Sequence, residues 1–215
     1  MVAPALSTVD HDRIEDANLP GSLPALRQRQ ITFSKDDEED LPARIERLWY
    51  INPYGHEIWP LANPKVLEAV RTSTTVIYSI GSLFTSIVPS LVLNGVGKAI
   101  AGKNVRHKIL VLNAKLDRET GPRSNPMTAR DFIAVIARAC AQGWAPETVD
   151  ELAKYVSHLL YLEGEDVPAV HVDDLEKLGI QCIKVASVRY GEGKQAMIKY
   201  DEAALGEVLE AILDS

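Results

Sequence analysis

Four small residues at 81–86 carry the chemistry that stands out first. Thr75-Val76-Ile77-Tyr78 is a β-branched and aromatic run and predicts a buried strand. It passes into Ser79-Ile80-Gly81-Ser82-Leu83-Phe84-Thr85-Ser86, and an apolar helical pattern follows in Ile87, Val88, Leu91, Val92, Val96 and Ile100. A helix start carries unpaired N–H groups and a partial positive charge, so it attracts anions. Gly81 would let the backbone come close to such a group, and the hydroxyls of Ser82, Thr85 and Ser86 would add hydrogen bonds. Phosphate is the anion this arrangement predicts. The same residues also read as an ordinary cap, with Thr85 or Ser86 capping the start of the helix and Gly81 permitting a turn. Residue type alone leaves both readings open.

A second group lies in Asn113-Ala-Lys-Leu-Asp-Arg-Glu-Thr-Gly-Pro-Arg. Asn113 stands where a strand ends, so its amide could read a base or hold a neighbouring loop. Asp117 and Glu119 are candidates for a metal ligand or general base. Lys115, Arg118 and Arg123 are candidate phosphate partners, arginine through its bidentate fork. A solvated, charge-balanced loop would have the same composition. His11, His56, His107, His158 and His171 are scattered, with no i, i+4 pair of the helical metal-site type. Cys140 and Cys182 stand far apart and offer neither metal-ligand spacing nor a disulfide framework, which suits a reducing compartment. Neither a P-loop nor a G-x-S-x-G elbow is present.

The elements that must position these groups follow a strand–helix alternation. Residues 1–43 mix prolines, polar residues and the acidic run at 36–40, and read as a flexible lead-in. Residues 44–215 read as one α/β domain. Its expected strands are 45–51, 75–78, 108–112, 158–162 and 182–188. Its expected helices begin at Asn63-Pro64, run through the apolar positions of 87–100, and continue at 127–142, 173–178 and 203–213. Thr128 with Asp131 has the spacing of a capping box. Short connections between alternating elements predict a mostly parallel sheet with right-handed crossovers. In such a sheet ligands bind beyond the carboxyl ends of the strands. Segments 52–56, 79–86, 113–123, 163–166 and 189–193 should then converge on one crevice.

GSLFTSIVPSLVLNGVGKAI resembles the GSLYTS-x-x-P-x-L segment of the CofD-like family, which includes 2-phospho-L-lactate transferases and the bacterial gluconeogenesis factor. KILVLNAKLDRETG at 108–121 is similar to that family's strand, Asn and later Glu-Thr, and SHLLYLEGE and IKYDEAALGEVLEAI also fit. The resemblance implies a Rossmann-like three-layer sandwich. It also implies a nucleotide-linked small-molecule ligand held by Gly81, Ser82, Thr85, Ser86, Asn113 and Thr120, a catalytic Glu119, and Mg²⁺. Two functions accompany it: a transferase of the 2-phospho-L-lactate type, or a non-enzymatic nucleotide-sugar-binding regulator. Lys199 and Asp201 fall where the family often shows a basic residue followed by Asp. The family's opening GGGTG-type loop has no counterpart here, so the chain reads as the C-terminal portion of such a protein. Self-association as a homo-oligomer or weak stability, with poor ligand affinity, is the expectation from that reading, and an inactive truncated family member is the third alternative.

Composition sets the remaining bounds. The 215 residues are 46% hydrophobic and 25% charged, ordinary for a globular protein with a real core. A formal net charge of −7 without a Lys/Arg run argues against nucleic acid as a partner. No apolar stretch has the length of a membrane span, and the start lacks the pattern of a signal peptide. A cytoplasmic protein is expected, with no membrane partner.

Overall fold

β-Branched and apolar runs separated by polar turns build the parallel sheet at the centre of this protein. A computed structural model describes residues 41–142, 149–164, 166–191 and 197–215. Residues 1–40 of the expected 1–43 lead-in lie outside the described residues, as do parts of the 163–166 and 189–193 segments.

The chain divides into two units. In the first, Trp49–Pro60, strands β1 (Tyr50–Ile51) and β2 (Glu57–Ile58) form an antiparallel hairpin. Its turn is set by Asn52, whose Oδ1 accepts from the N–H groups of Tyr54 and His56, both at 3.0 Å. The expected strand over 45–51 is thus shorter, confined to its last two residues.

The second unit, described over 41–48 and from Leu61 onward, holds the sheet. Its strands are β3 (Thr75–Tyr78), β4 (His107–Val111), β5 (His158–Tyr161) and β6 (Gln181–Lys184), in that spatial order and all parallel. Helix α1 (Pro64–Thr72) starts as its sequence predicts, with the Asn63 side chain accepting from the Lys65 N–H and Pro64 in the first turn. Between β3 and β4 come a π-helical turn, Leu83–Ile87, and the short helices α2 (Val88–Leu91) and α3 (Val96–Ile100). Between β4 and β5 come a 3-10 turn, Arg118–Thr120, then α4 (Ala129–Ala141) and α5 (Val149–Tyr155). Helix α6 (Val172–Lys177) links β5 to β6. The chain ends with β7 (Ser187–Tyr190), β8 (Met197–Tyr200) and α7 (Glu202–Leu213).

Strand pleating assigns side chains to two cores, because successive residues point to opposite faces. Leu110, Leu159 and Tyr161 pack with Phe132, Ile133 and Ile136 of α4 on one face. Ile109, Val111, Leu160 and Leu162 pack with Val208, Leu209 and Ile212 of α7 on the other. Helix, sheet and helix therefore form three layers, as expected. Tyr200 fastens the second face: its buried hydroxyl donates to the Leu112 carbonyl at 2.6 Å and lies 3.0 Å from that of Leu160.

Three readings need correction. The helix expected through 87–100 breaks at Asn94-Gly95, where Gly95 takes φ +96° and restarts the chain as α3. The strand expected over 182–188 is two strands: β6 stays in the sheet, while β7 leaves it to pair antiparallel with β8. An apolar run carries no mark of that bend, because Val185 and Ala186 suit either strand. Strands β2 and β8 and helix α5 are additions to the expected order. Among the described residues no helix is long and apolar enough to cross a membrane.

Candidate ligand-binding site

Three segments that leave the carboxyl edge of the sheet come together. The segment after β3 reaches that after β4 through Glu119, and the Leu116 N–H donates to the Asp166 carbonyl at 2.7 Å, joining the segment after β5.

Pro89 explains the unusual turn at 83–87. Its ring lacks an N–H and would crowd the carbonyl four residues back, that of Thr85. The chain widens there into a π-helical turn, with the Val88 N–H bonded to the Leu83 carbonyl. Such turns recur at functional sites. Leu83 and Phe84 sink into the core, whereas Thr85 and Ser86 face outward. Ser82 precedes the turn, and its hydroxyl makes no capping hydrogen bond. The residue at the cap position of the turn is thus Ser82, where the cap reading placed Thr85 or Ser86. A Cβ on Gly81 would lie 2.7 Å from Ser86 Cβ, so only glycine fits where the chain folds back on Ser86.

Glu119 occupies the mouth of this turn. Its Oε2 accepts from the backbone N–H groups of Phe84 at 3.1 Å and Thr85 at 3.2 Å. Two first-turn donors thus already hold an anionic oxygen, as the helix-start argument predicts. A capping box fixes the backbone of Glu119. The Asp117 Oδ1 accepts from the N–H groups of Glu119 at 3.0 Å and Thr120 at 3.1 Å. The Thr120 hydroxyl, fully buried, donates to the Asp117 carbonyl at 2.9 Å and accepts from the Asp117 N–H at 3.2 Å. Thr120 thus holds the loop, and Asn113 stands half-buried just beyond the strand end.

Arg44 is a residue that sequence reasoning passed over. Its guanidinium donates to the carbonyls of Asn125, at 2.9 Å, and Pro126, and to the Asp131 carboxylate at 3.2 Å. The same carboxylate closes the Thr128 capping box at the start of α4. Through this clamp the 41–48 segment anchors the far end of the Glu119 loop. Beside it lies a cavity of about 460 Å³ lined by Arg44, Asn125, Met127, Asp131, Val135 and Arg138. That volume lies within the usual range of ligand pockets, but Ser82 and Thr85 do not line it.

Other candidates fall elsewhere. Asp201 caps α7 through the Ala204 N–H at 2.9 Å. Lys199 places its ammonium 5.0 Å from the Tyr190 ring centroid. His107 and His158 meet at the opposite, amino edge of the sheet, with ring centroids 5.7 Å apart. Burial pushes the His158 imidazole below its ordinary range, and the neighbouring His107 adds to that. His56 belongs to the hairpin unit. Burial also pushes the thiols up, Cys140 to about 12 and Cys182 to about 11, so neither is a thiolate nucleophile at neutral pH. Among the described residues no three His, Cys, Asp or Glu side chains are grouped to hold a metal ion. Asp117 and Glu119 both spend carboxylate oxygens on backbone N–H groups.

Comparison with known proteins places this architecture. An uncharacterized protein of Saccharomyces cerevisiae is 35% identical over 182 residues, which is 80% of this chain and 40% of that one. A gluconeogenesis factor of Listeria innocua is 27% identical over 122 residues, 56% of this chain and 36% of its own length. The chain thus spans less than half the length of these relatives. A crystal structure of a Bacillus halodurans protein of the UPF0052 family superposes with a TM-score of 0.53 at 21% identity. The match covers 71% of this chain and 47% of that one, and supports the fold. The sequence model described as 2-phospho-L-lactate transferase CofD matches residues 21–188, beginning inside the expected lead-in. With most of its length matched by that model, over residues 21–188, the chain belongs to the CofD family.

Proposed function

We propose that this chain binds a nucleoside-diphosphate-linked ligand, with a phosphate seated on the Phe84 and Thr85 N–H groups. The observation that carries this reading is the convergence of both N–H groups on one anionic oxygen, Glu119 Oε2. A phosphate oxygen has the charge and acceptor geometry to take that place. Gly81 permits the close approach, and the Ser82, Thr85 and Ser86 hydroxyls supply further donors. Asn113, just beyond the end of β4, would meet the remainder of the ligand. Thr120 contributes by holding the loop.

In a transferase of the phospholactyl type, an acceptor hydroxyl would form the new P–O bond as the bridging P–O bond of the donor breaks. The nucleoside monophosphate leaves, and the hydroxyl proton goes to a carboxylate. Glu119, once free of the turn, would supply that carboxylate. The turn donors would stabilise charge on the transferred group. Among the described residues the loop carboxylates Asp117 and Glu119 serve as backbone acceptors, and no three His, Cys, Asp or Glu side chains are grouped to hold a Mg²⁺ ion. The similarity to a gluconeogenesis factor favours a second reading, a nucleotide-sugar-binding regulator that uses the same turn without chemistry.

Calorimetry with GDP, UDP and a UDP-sugar tests the binding reading. Ser82→Ala with Thr85→Ala should weaken binding by about 1–3 kcal/mol in total, the range for lost hydrogen bonds to a charged group. Equal affinity for the parent and the double variant would remove the turn from the site.

A further inference from the structure

We infer that Glu119 is a built-in competitor for the phosphate turn, displaced when a phosphorylated ligand binds. The inference rests on the phosphate reading above and adds how that site is controlled. The Phe84 and Thr85 N–H groups are the turn's donors, and the Glu119 carboxylate takes both, 3.1 and 3.2 Å away. One pair of N–H groups cannot serve a carboxylate and a phosphate together, and the two anions repel each other.

The competitor is held ready by its own backbone. Asp117 and Thr120 lock the 3-10 turn through the reciprocal capping box, and the Met127 N–H donates to the Thr120 carbonyl at 2.8 Å. Rotation about the Glu119 side-chain bonds frees the turn and leaves that backbone in place. Glu119 is only half-buried, so the released carboxylate is not forced into an apolar core. A small inorganic anion must break two charge-assisted hydrogen bonds for little return. A nucleotide brings further contacts that offset the displacement. The device therefore screens the turn against simple anions.

Competition of this kind makes a quantitative demand. When a binding-competent state is only partly populated, every ligand that needs it loses affinity by the same factor. Removing the competitor should restore that factor to all of them. Glu119→Gln and Glu119→Ala are titrated with GDP, inorganic pyrophosphate and guanosine. The affinities for GDP and pyrophosphate are expected to rise together, on the order of tenfold, with guanosine unchanged. In the unaltered protein, saturating GDP should move the ¹³C signal of the Glu119 carboxylate to that of a solvated glutamate, a readout that needs no variant to fold. Unchanged or weaker GDP binding in both variants, or a Glu119 signal that stays fixed under saturating GDP, would overturn the inference. If the unaltered protein binds GDP and the variants merely match it, the phosphate reading stands and the competitor alone falls. If no form binds GDP or pyrophosphate, both fall.

Discussion

Gly97→Ala should destabilise the protein by about 3 kcal/mol or more, at or beyond the upper end of ordinary over-packing costs. Gly97 sits in α3, fully buried against the end of α4. A Cβ at this position would stand 1.9 Å from the Cys140 carbonyl oxygen and 2.5 Å from its carbonyl carbon. Both neighbours are backbone, so no side chain can rotate to make room. The two helices would have to separate, opening the core that Ile100, Ile133 and Ile136 share. Urea unfolding of the variant measures the cost. A loss under about 1 kcal/mol would mean that α3 and α4 are not packed backbone to backbone.

Phe84→Ala is expected to cost about 3–5 kcal/mol, the range for truncating a buried aromatic side chain. Phe84 is 2% exposed and belongs to the main core, yet its N–H is one of the two donors of the turn. Its side chain therefore sets where that donor points. Truncation should lower stability and also loosen nucleotide binding, whereas Phe84→Leu, which conserves more volume, should cost under about 1.5 kcal/mol. Urea unfolding beside calorimetry separates the two effects. Phe84→Ala with parental stability would show that the ring does not anchor the turn.

The fold was legible where local signals were strong. Asn63-Pro64 announces α1, Thr128 with Asp131 announces α4, and the β-branched runs announce β3 and β4. The GSLFTS turn was legible as the segment that leaves β3 and enters the helices. What fills it was not: Glu119 meets Phe84 and Thr85 across 35 and 34 residues, a distance that no local pattern encodes. Arg44 is hidden for the same reason, since its partners lie more than 80 residues away and only the folded chain brings them together. Asp117 read as a possible metal ligand or base because a carboxylate in a polar loop looks the same in sequence whether it binds a ligand or caps a turn. The break between β6 and β7 escaped because strand propensity continues across it while the pairing partner changes.

The central claim is that the Phe84 and Thr85 N–H groups receive a nucleotide phosphate. Amide ¹H–¹⁵N spectra of the protein, titrated with GDP and UDP, test it at those two atoms. The account predicts large, saturable shifts at Phe84 and Thr85 that follow the calorimetric binding curve. Binding that saturates while both amides stay unmoved would place the phosphate elsewhere and contradict the claim.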